Sequence, residues 1–339
     1  METNNKKNII SNLIKWIVIV AALVAVYFWK NDDIVGAIRE IKRFSPLVIA
    51  LCLTMSLLYF VAEGRIIHNM TMYEVRQMTW WESFKCGLFC AFFKFATLGS
   101  LSGIAEVYYI TKHKIDVGRA SGITLVQYTY QKLGITLVGI ISFVILYIIG
   151  VPTVREYIGW GILGSSISLF IVLVLLVLSV SRKLADILAI LVDKVFKLIK
   201  QEEKSKELID KIYTFHEAGH YFFEHKTLCL RVTLLNMVKV CCWYSVAGIV
   251  IAATHGVADY AVSTALMAVV NMIGSVMVAP AGVGTIEFVL SLVISPIYGS
   301  LATATVAILY RFFSLVVPFV IGAFIVVADK RHVTKREDG

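Results

Sequence analysis

Apolar runs of membrane length recur along this chain, and no water-soluble fold can hide them all. Crossing the hydrocarbon core of a bilayer takes roughly 17–25 helical residues. Runs of this kind cover Ile10 to Trp29, Pro46 to Ala62, Ala120 to Ile149, Trp160 to Val180, Leu228 to Ala253 and Leu301 to Ala328. In lipid the backbone must satisfy its own polar groups, which makes such runs helices. The whole composition agrees, with 58% hydrophobic residues against 16% charged and a mean hydropathy of +0.80. The expected class is all-α, a polytopic integral membrane protein. Ile10 to Trp29 reads as a retained first helix rather than a signal peptide, being too long for an h-region and lacking a small-residue cleavage site.

Two further apolar stretches, Phe84 to Ile110 and Tyr260 to Tyr298, are interrupted. The first contains Gly99-Ser-Leu-Ser-Gly103-Ile-Ala-Glu106-Val107, the second Pro280-Ala-Gly282-Val-Gly284-Thr-Ile-Glu287-Phe288. Each break ends in Gly-x-x-Glu followed by an apolar residue. A carboxylate and flexible backbone are costly at membrane depth, so each break is a candidate functional site.

Basic residues set the sides. Lys6 and Lys7, the lysine-rich Arg182 to Lys226 loop, and Lys330, Arg331, Lys335 and Arg336 are expected in the cytoplasm. Val151 to Tyr157, His255 to Asp259 and the mixed-charge loop Asn31 to Arg43 are expected outside. With those sides, 84–110 begins and ends inside, and 260–298 begins and ends outside. Each then reads as a re-entrant helical hairpin. The expected architecture is about six full transmembrane helices plus two re-entrant hairpins in an inverted repeat; the alternative is 7–8 simple spans. Its parts are a cytoplasmic tail at 1–9 and one transmembrane domain at 10–329. That domain comprises a first repeat at 46–149, a cytoplasmic amphipathic loop at 181–227 and an inverted second repeat at 228–328. A basic cytoplasmic tail follows at 330–339. Such repeats place a substrate site near the midplane, lined by broken helices.

Arg311 lies deep in the last span and must face a partner or a wet cavity. Glu287 or Glu106 is expected to pair with it, since an unpaired buried charge is prohibitive. Guanidinium suits a lipid phosphate, which makes Arg311 the candidate anion reader. Lys85 can reach the headgroups, whereas Lys94 is harder to place there. Asn271 and Ser275 sit one turn apart beside the second break and are placed to line the same cavity or to join helices. The net charge of +9 falls mainly in loops and tails, where it sets topology and attracts anionic headgroups rather than nucleic acid.

At these residues the chain resembles the lysylphosphatidylglycerol synthase transmembrane-domain family, the lipid-flippase portion of the multiple peptide resistance factor. The likeness rests on Gly103-Ile-Ala-Glu106-Val-Tyr-Tyr109-Ile-Thr-Lys112, on Ala279-Pro280-Ala-Gly282-Val-Gly284-Thr-Ile-Glu287, and on Tyr310-Arg311 followed by Pro318. It runs from about residue 10 to 329. Where many members carry Glu-Arg and then Asp after the first break, this chain has Gln127, Tyr128 and Gln131. The soluble aminoacyl-transferase domain is expected to be absent. The resemblance implies lipid handling in the cell membrane, with both termini cytoplasmic. The substrate would be an anionic, aminoacylated or polyprenyl-linked lipid, and the site residues Glu106, Glu287, Arg311, Asn271, Gly99, Gly103, Pro280, Gly282, Gly284 and Tyr109. Partners would be that lipid, anionic headgroups, and either a separate soluble synthase or a second copy of the chain.

The alternatives are a membrane component of phosphatidylglycerol lysyltransferase activity and a zinc metalloprotease. The latter would use His216-Glu217-Ala-Gly-His220, which matches HExxH with both histidines on one helix face. Few residues surround it, and Glu224 and His225 make poor third ligands. An amphipathic helix laying Ile209, Ile212, Phe215, Tyr221 and Phe222 on lipid explains the same residues. No cofactor, metal or catalytic residue is assigned. Cys52, Cys86, Cys90, Cys229, Cys241 and Cys242 show neither zinc spacing nor a disulfide framework.

Overall fold

A computed structural model describes residues 31–72, 77–97, 99, 101–156, 158–198, 202–277 and 284–337. All of its regular secondary structure is helical. Among the described residues, five helical stretches are long and apolar enough to cross a membrane: Pro46–Met70, Val117–Ile149, Ile158–Val180, Lys226–His255 and Ser295–Asp329. They coincide with five of the six spans read from the sequence. The remaining one, Ile10 to Trp29, lies outside the described residues.

The centre of the molecule is built from α2 (Pro46–Met70), α5 (Val117–Ile149) and α10 (Lys226–His255). α2 and α10 make the most extensive contact, with the Tyr59 and Trp243 rings stacked at 3.7 Å. α5 meets α10 closely because Gly134 has no side chain: a Cβ there would come within 2.9 Å of the Asn236 Cβ. Lipid supplies no hydrophobic drive between helices, so such small-residue contacts hold the bundle.

Each interrupted stretch is a pair of short helices. In the first, α3 (Trp80–Ala96) packs against α4 (Ser102–Thr111) across a break at 97–101. α3 begins earlier than the apolar pattern suggests, because Thr79 and Glu82 form a reciprocal cap. In the second, α11 (Asp259–Gly274) packs against α12 (Thr285–Val293) across a break at 275–284. Gly99 and Gly284 turn the chain at the two breaks with φ of +88° and +87°. That left-handed region is open to glycine and strained for most other residues.

The last span is less regular than a single run implies. α13 (Ser295–Arg311) is kinked at Gly299, whose φ is +84°. A π-helical turn, Phe312–Val316, then leads into α14 (Val317–Glu337). α14 lies along α3, and Lys112 at the end of α4 forms an ion pair with Asp329.

Two expectations are corrected. The segment 31–43 is not a loop: α1 (Asn31–Ile41) is an amphipathic helix against α13, held by Ser300 donating to Asp33 at 3.1 Å and Thr305 to Glu40 at 2.8 Å. The 181–227 segment forms α8 (Arg182–Leu198) and α9 (Glu202–Glu224), which pack together. α9 does not rest its apolar side on lipid. It packs on α5 and on α7 (Ile158–Val180), and Ile212, Phe215 and Phe222 are buried by protein. A short helix, α6 (Pro152–Glu156), joins α5 to α7. Gly122 and Gly219 admit α9 to this close approach, and a helix pattern alone does not distinguish a lipid surface from a protein surface.

Apolar side chains form two principal cores. One gathers around the second break with residues such as Leu266, Leu290 and Tyr310; the other gathers around the first with Phe89, Tyr109 and Val126. α5 passes from the first core at Tyr130 to the second at Val138, and α10 from Val232 to Val240. Lys132 and Lys239 fall in those intervals, near the middle of their helices.

Candidate functional site

Charges that would be prohibitive singly are collected between the two cores. Arg311, the last residue of α13, donates from Nη2 to Glu287 Oε2 at 3.0 Å and from Nε to Glu287 Oε1 at 2.5 Å. The fork matches the carboxylate with two parallel bonds. Glu287 Oε2 also accepts from the Gly284 N–H at 2.8 Å, so this carboxylate caps α12 while it holds the arginine. A carboxylate in the first turn suits the positive end of the helix dipole. The pair is only part-buried, at 36% exposure for the Glu287 side chain and 18% for that of Arg311.

Glu106 does not join them. Its Oε1 is buried without a hydrogen-bond partner, and the charges acting on it are those of Glu63 and Lys239. Of the two carboxylates offered by the sequence, helix packing therefore selects Glu287. The Asn271 Oδ1 accepts from the Tyr310 hydroxyl at 3.0 Å, next to Arg311 in the chain. Lys132 donates to the Ser275 carbonyl at 2.9 Å, at the C-terminal end of α11 where the second break begins. Gly99 shapes the first break, where Thr97 Oγ1 accepts from the Leu101 N–H at 3.0 Å. Gly103 meets nothing closer to a Cβ than Thr124 at 3.9 Å, so packing does not demand glycine there. Tyr109 is a core residue whose ring is tilted against that of Phe89 at 5.2 Å. Pro280 and Gly282 lie outside the described residues.

Sequence reasoning missed a second ionic group. Lys239, with a side chain 0% exposed, donates to Glu63 Oε2 at 2.6 Å. Gln127 donates to Glu63 Oε1 at 3.1 Å. An amide on α5 thus supports a carboxylate from a neighbouring helix. Lys239 also stands 5.4 Å from the Tyr59 ring centre, and Lys94 stands 5.4 Å from that of Trp243. The charges of Arg311, Glu63, Lys239 and Lys132 all act on Lys94. Four cations and three carboxylates, drawn from both helix-break-helix units and from α2, α5, α10 and α13, thus share one interior region. Lys239 was detectable: a lysine in mid-span carries the same meaning as Arg311.

The profile of the family described as lysylphosphatidylglycerol synthase TM region matches residues 13–322. The chain belongs to this family. The match takes in every residue of the ionic region and both breaks. It ties the protein to lysylphosphatidylglycerol synthesis or lipid handling in a membrane. No curated protein matches the chain.

The HExxH residues lie elsewhere. His216, Glu217, His220 and Glu224 line a surface pocket of about 350 Å³ with Arg182. His216 is buried with Nδ1 unpartnered, while His220 Nδ1 faces Glu224 Oε1 at 3.5 Å. Among the described residues, no group of three or more His, Cys, Asp or Glu side chains is arranged to hold a metal ion.

Proposed function

We propose that the protein carries an anionic phospholipid across the cell membrane, its headgroup passing through the ionic region between the two cores. The observation that carries this reading is the convergence of Lys94 on α3, Lys132 on α5, Lys239 on α10 and Arg311 on α13, with the part-buried Glu287–Arg311 fork at the edge. One cation in a bundle is explained by a static pair, and Glu287 and Arg311 supply one. The surplus of cations over carboxylates suits a phosphate.

In this reading the two helix pairs are re-entrant hairpins entering from opposite sides, and both termini are cytoplasmic. A lipid phosphate competes with Glu287 for Arg311. Freed, Glu287 keeps its bond to the Gly284 N–H, so the break stays capped while the headgroup is held. Rocking of one repeat against the other then exposes the site alternately. The aliphatic tails stay in lipid while the headgroup crosses.

The test is reconstitution of the full chain in phosphatidylglycerol–phosphatidylethanolamine vesicles containing a fluorescent phosphatidylglycerol, with bilayer sidedness followed by chemical quenching. Arg311→Ala and Lys94→Met are expected to slow translocation, and Glu287→Gln to alter it. Equal rates for wild type and Arg311→Ala would sink the site. The family's tie to lysylphosphatidylglycerol synthesis supports a second reading, in which this chain is the membrane partner of a separate soluble synthase. Stimulation of tRNA-dependent lipid lysylation on adding the reconstituted chain to such an enzyme would favour that role.

A further inference from the structure

The inner group around Glu63 is not explained by holding a phosphate. Glu63 on α2 accepts from Lys239 on α10 and from Gln127 on α5, which occupies both of its oxygens. Glu106 on α4 faces the same group, and its Oε1 is buried with no partner. Gln127 is only 4% exposed, and its own Oε1 is also unpartnered. α3 supplies Cys86 and Cys90, close enough to Glu106 to sense its charge. Gly87 on α3 leaves the space that the Glu63 side chain fills: a Cβ there would stand 3.1 Å from the Glu63 Cγ.

The charge balance of this group is the telling point. Lys239 is the cation that acts on Glu106, and its ammonium is already hydrogen-bonded to Glu63, so an ionised Glu106 has no counter-ion of its own. An uncompensated charge there is strongly unfavourable, and a buried acceptor with no donor adds to the cost. One proton removes both faults, since it neutralises the surplus charge and turns an orphan acceptor into a donor. A metal cation would need a shell of several oxygen ligands, whereas a proton needs one.

We propose that Glu106 is a proton-binding site, and that its proton and an anionic lipid are carried together. The proton binds as a carboxylate oxygen takes up H⁺ to become the neutral acid, with no other bond changed. Proton binding stands on the geometry of Glu63, Glu106, Gln127 and Lys239; the coupling rests on the transport reading above. Lys239 and Glu63 act on both Glu106 and Lys94, so a positive charge added at Glu106 favours an anion beside Lys94. Linkage makes the effect reciprocal: the bound anion favours the proton.

The experiment uses the full chain in phosphatidylglycerol–phosphatidylethanolamine nanodiscs, titrated from alkaline to mildly acidic buffer and followed by infrared difference spectroscopy. The wild type is expected to show a protonated-carboxyl C=O band. That band is lost in Glu106→Gln and kept in Glu287→Gln. In Glu63→Gln it appears only at lower pH, because Lys239 then balances Glu106 alone. A band unchanged in both Glu106→Gln and Glu63→Gln overturns the proposal. A second arm imposes a pH gradient on vesicles of the same lipids carrying fluorescent phosphatidylglycerol. Gradient-stimulated movement that disappears in Glu106→Gln supports the coupling. Movement indifferent to the gradient overturns the coupling and leaves lipid transport standing. No movement in any variant, with the band behaving as expected, leaves the proton site standing and removes the transport reading.

Discussion

Replacing Lys239 by Met tests the ionic region most directly. At the 2.6 Å separation of Lys239 Nζ and Glu63 Oε2, the attraction in an effective dielectric of ~20 is about 6 kcal/mol. Desolvating the two ions costs several kcal/mol each, so the pair as a whole contributes little net stability. Removing one partner is different, because the desolvated survivor loses its compensation. Lys239→Met leaves Glu63 with Gln127 as its sole hydrogen-bond donor of the two, and Glu106 with no opposing charge acting on it. The expected loss is ~3–5 kcal/mol. Glu63→Gln should cost less, since Lys239 still has Glu106 within range. The double variant Glu63→Gln/Lys239→Met should recover much of the Lys239→Met loss. The assay is thermal unfolding of purified protein in one detergent, run for all four proteins in alkaline and acidic buffer. The Lys239→Met loss should shrink in acid, where protons can replace the missing cation. A Lys239→Met protein as stable as wild type would refute the reasoning, as would a double variant whose loss is the sum of the two.

Four other outcomes are expected. Gly322→Ala should destabilise by ~1–3 kcal/mol, because a Cβ there would lie 2.3 Å from the Leu88 carbonyl oxygen. Gly159→Ala, with nothing within 4 Å, should be neutral or slightly stabilising in the same unfolding assay. Thr79→Ala should cost ~1 kcal/mol, by removing the side chain that accepts the Glu82 N–H at 3.3 Å and leaving half of the reciprocal cap at the start of α3; hydrogen exchange should quicken in the first turn of that helix. Metal analysis of the purified protein should find no stoichiometric zinc, and Glu217→Gln should translocate lipid at the wild-type rate; zinc bound at one per chain and lost in His216→Ala would point to the metalloprotease reading instead.

The long spans were legible because membrane thickness fixes their length and composition, leaving little for tertiary context to decide. The Glu287–Arg311 pair was half legible. The need for a partner follows from burial, but choosing Glu287 over Glu106 depends on which helices touch. Glu63 stood just past the apparent end of its span, where a carboxylate excites no suspicion. The helix continues to Met70, which places that carboxylate inside the bundle. α9 was misplaced for a related reason: its stripe of Ile212, Phe215 and Phe222 describes a surface to be covered and does not say by what.

The π turn at Phe312–Val316 carries a consequence for register. It follows directly on Arg311, and its Phe313 carbonyl accepts from Ser56 Oγ at 2.6 Å. Such a turn amounts to one residue inserted into an α-helix, and one residue corresponds to about 100° of rotation. It therefore sets the azimuth of Arg311 independently of the face that Phe319 and Gly322 present to α3, where Phe319 stacks on Phe92 at 5.1 Å. Deleting a single residue there would let the helix run straight and swing one of those two faces out of place. The position of the arginine and the seating of the last helix are thus separately adjustable, by the gain or loss of one amino acid.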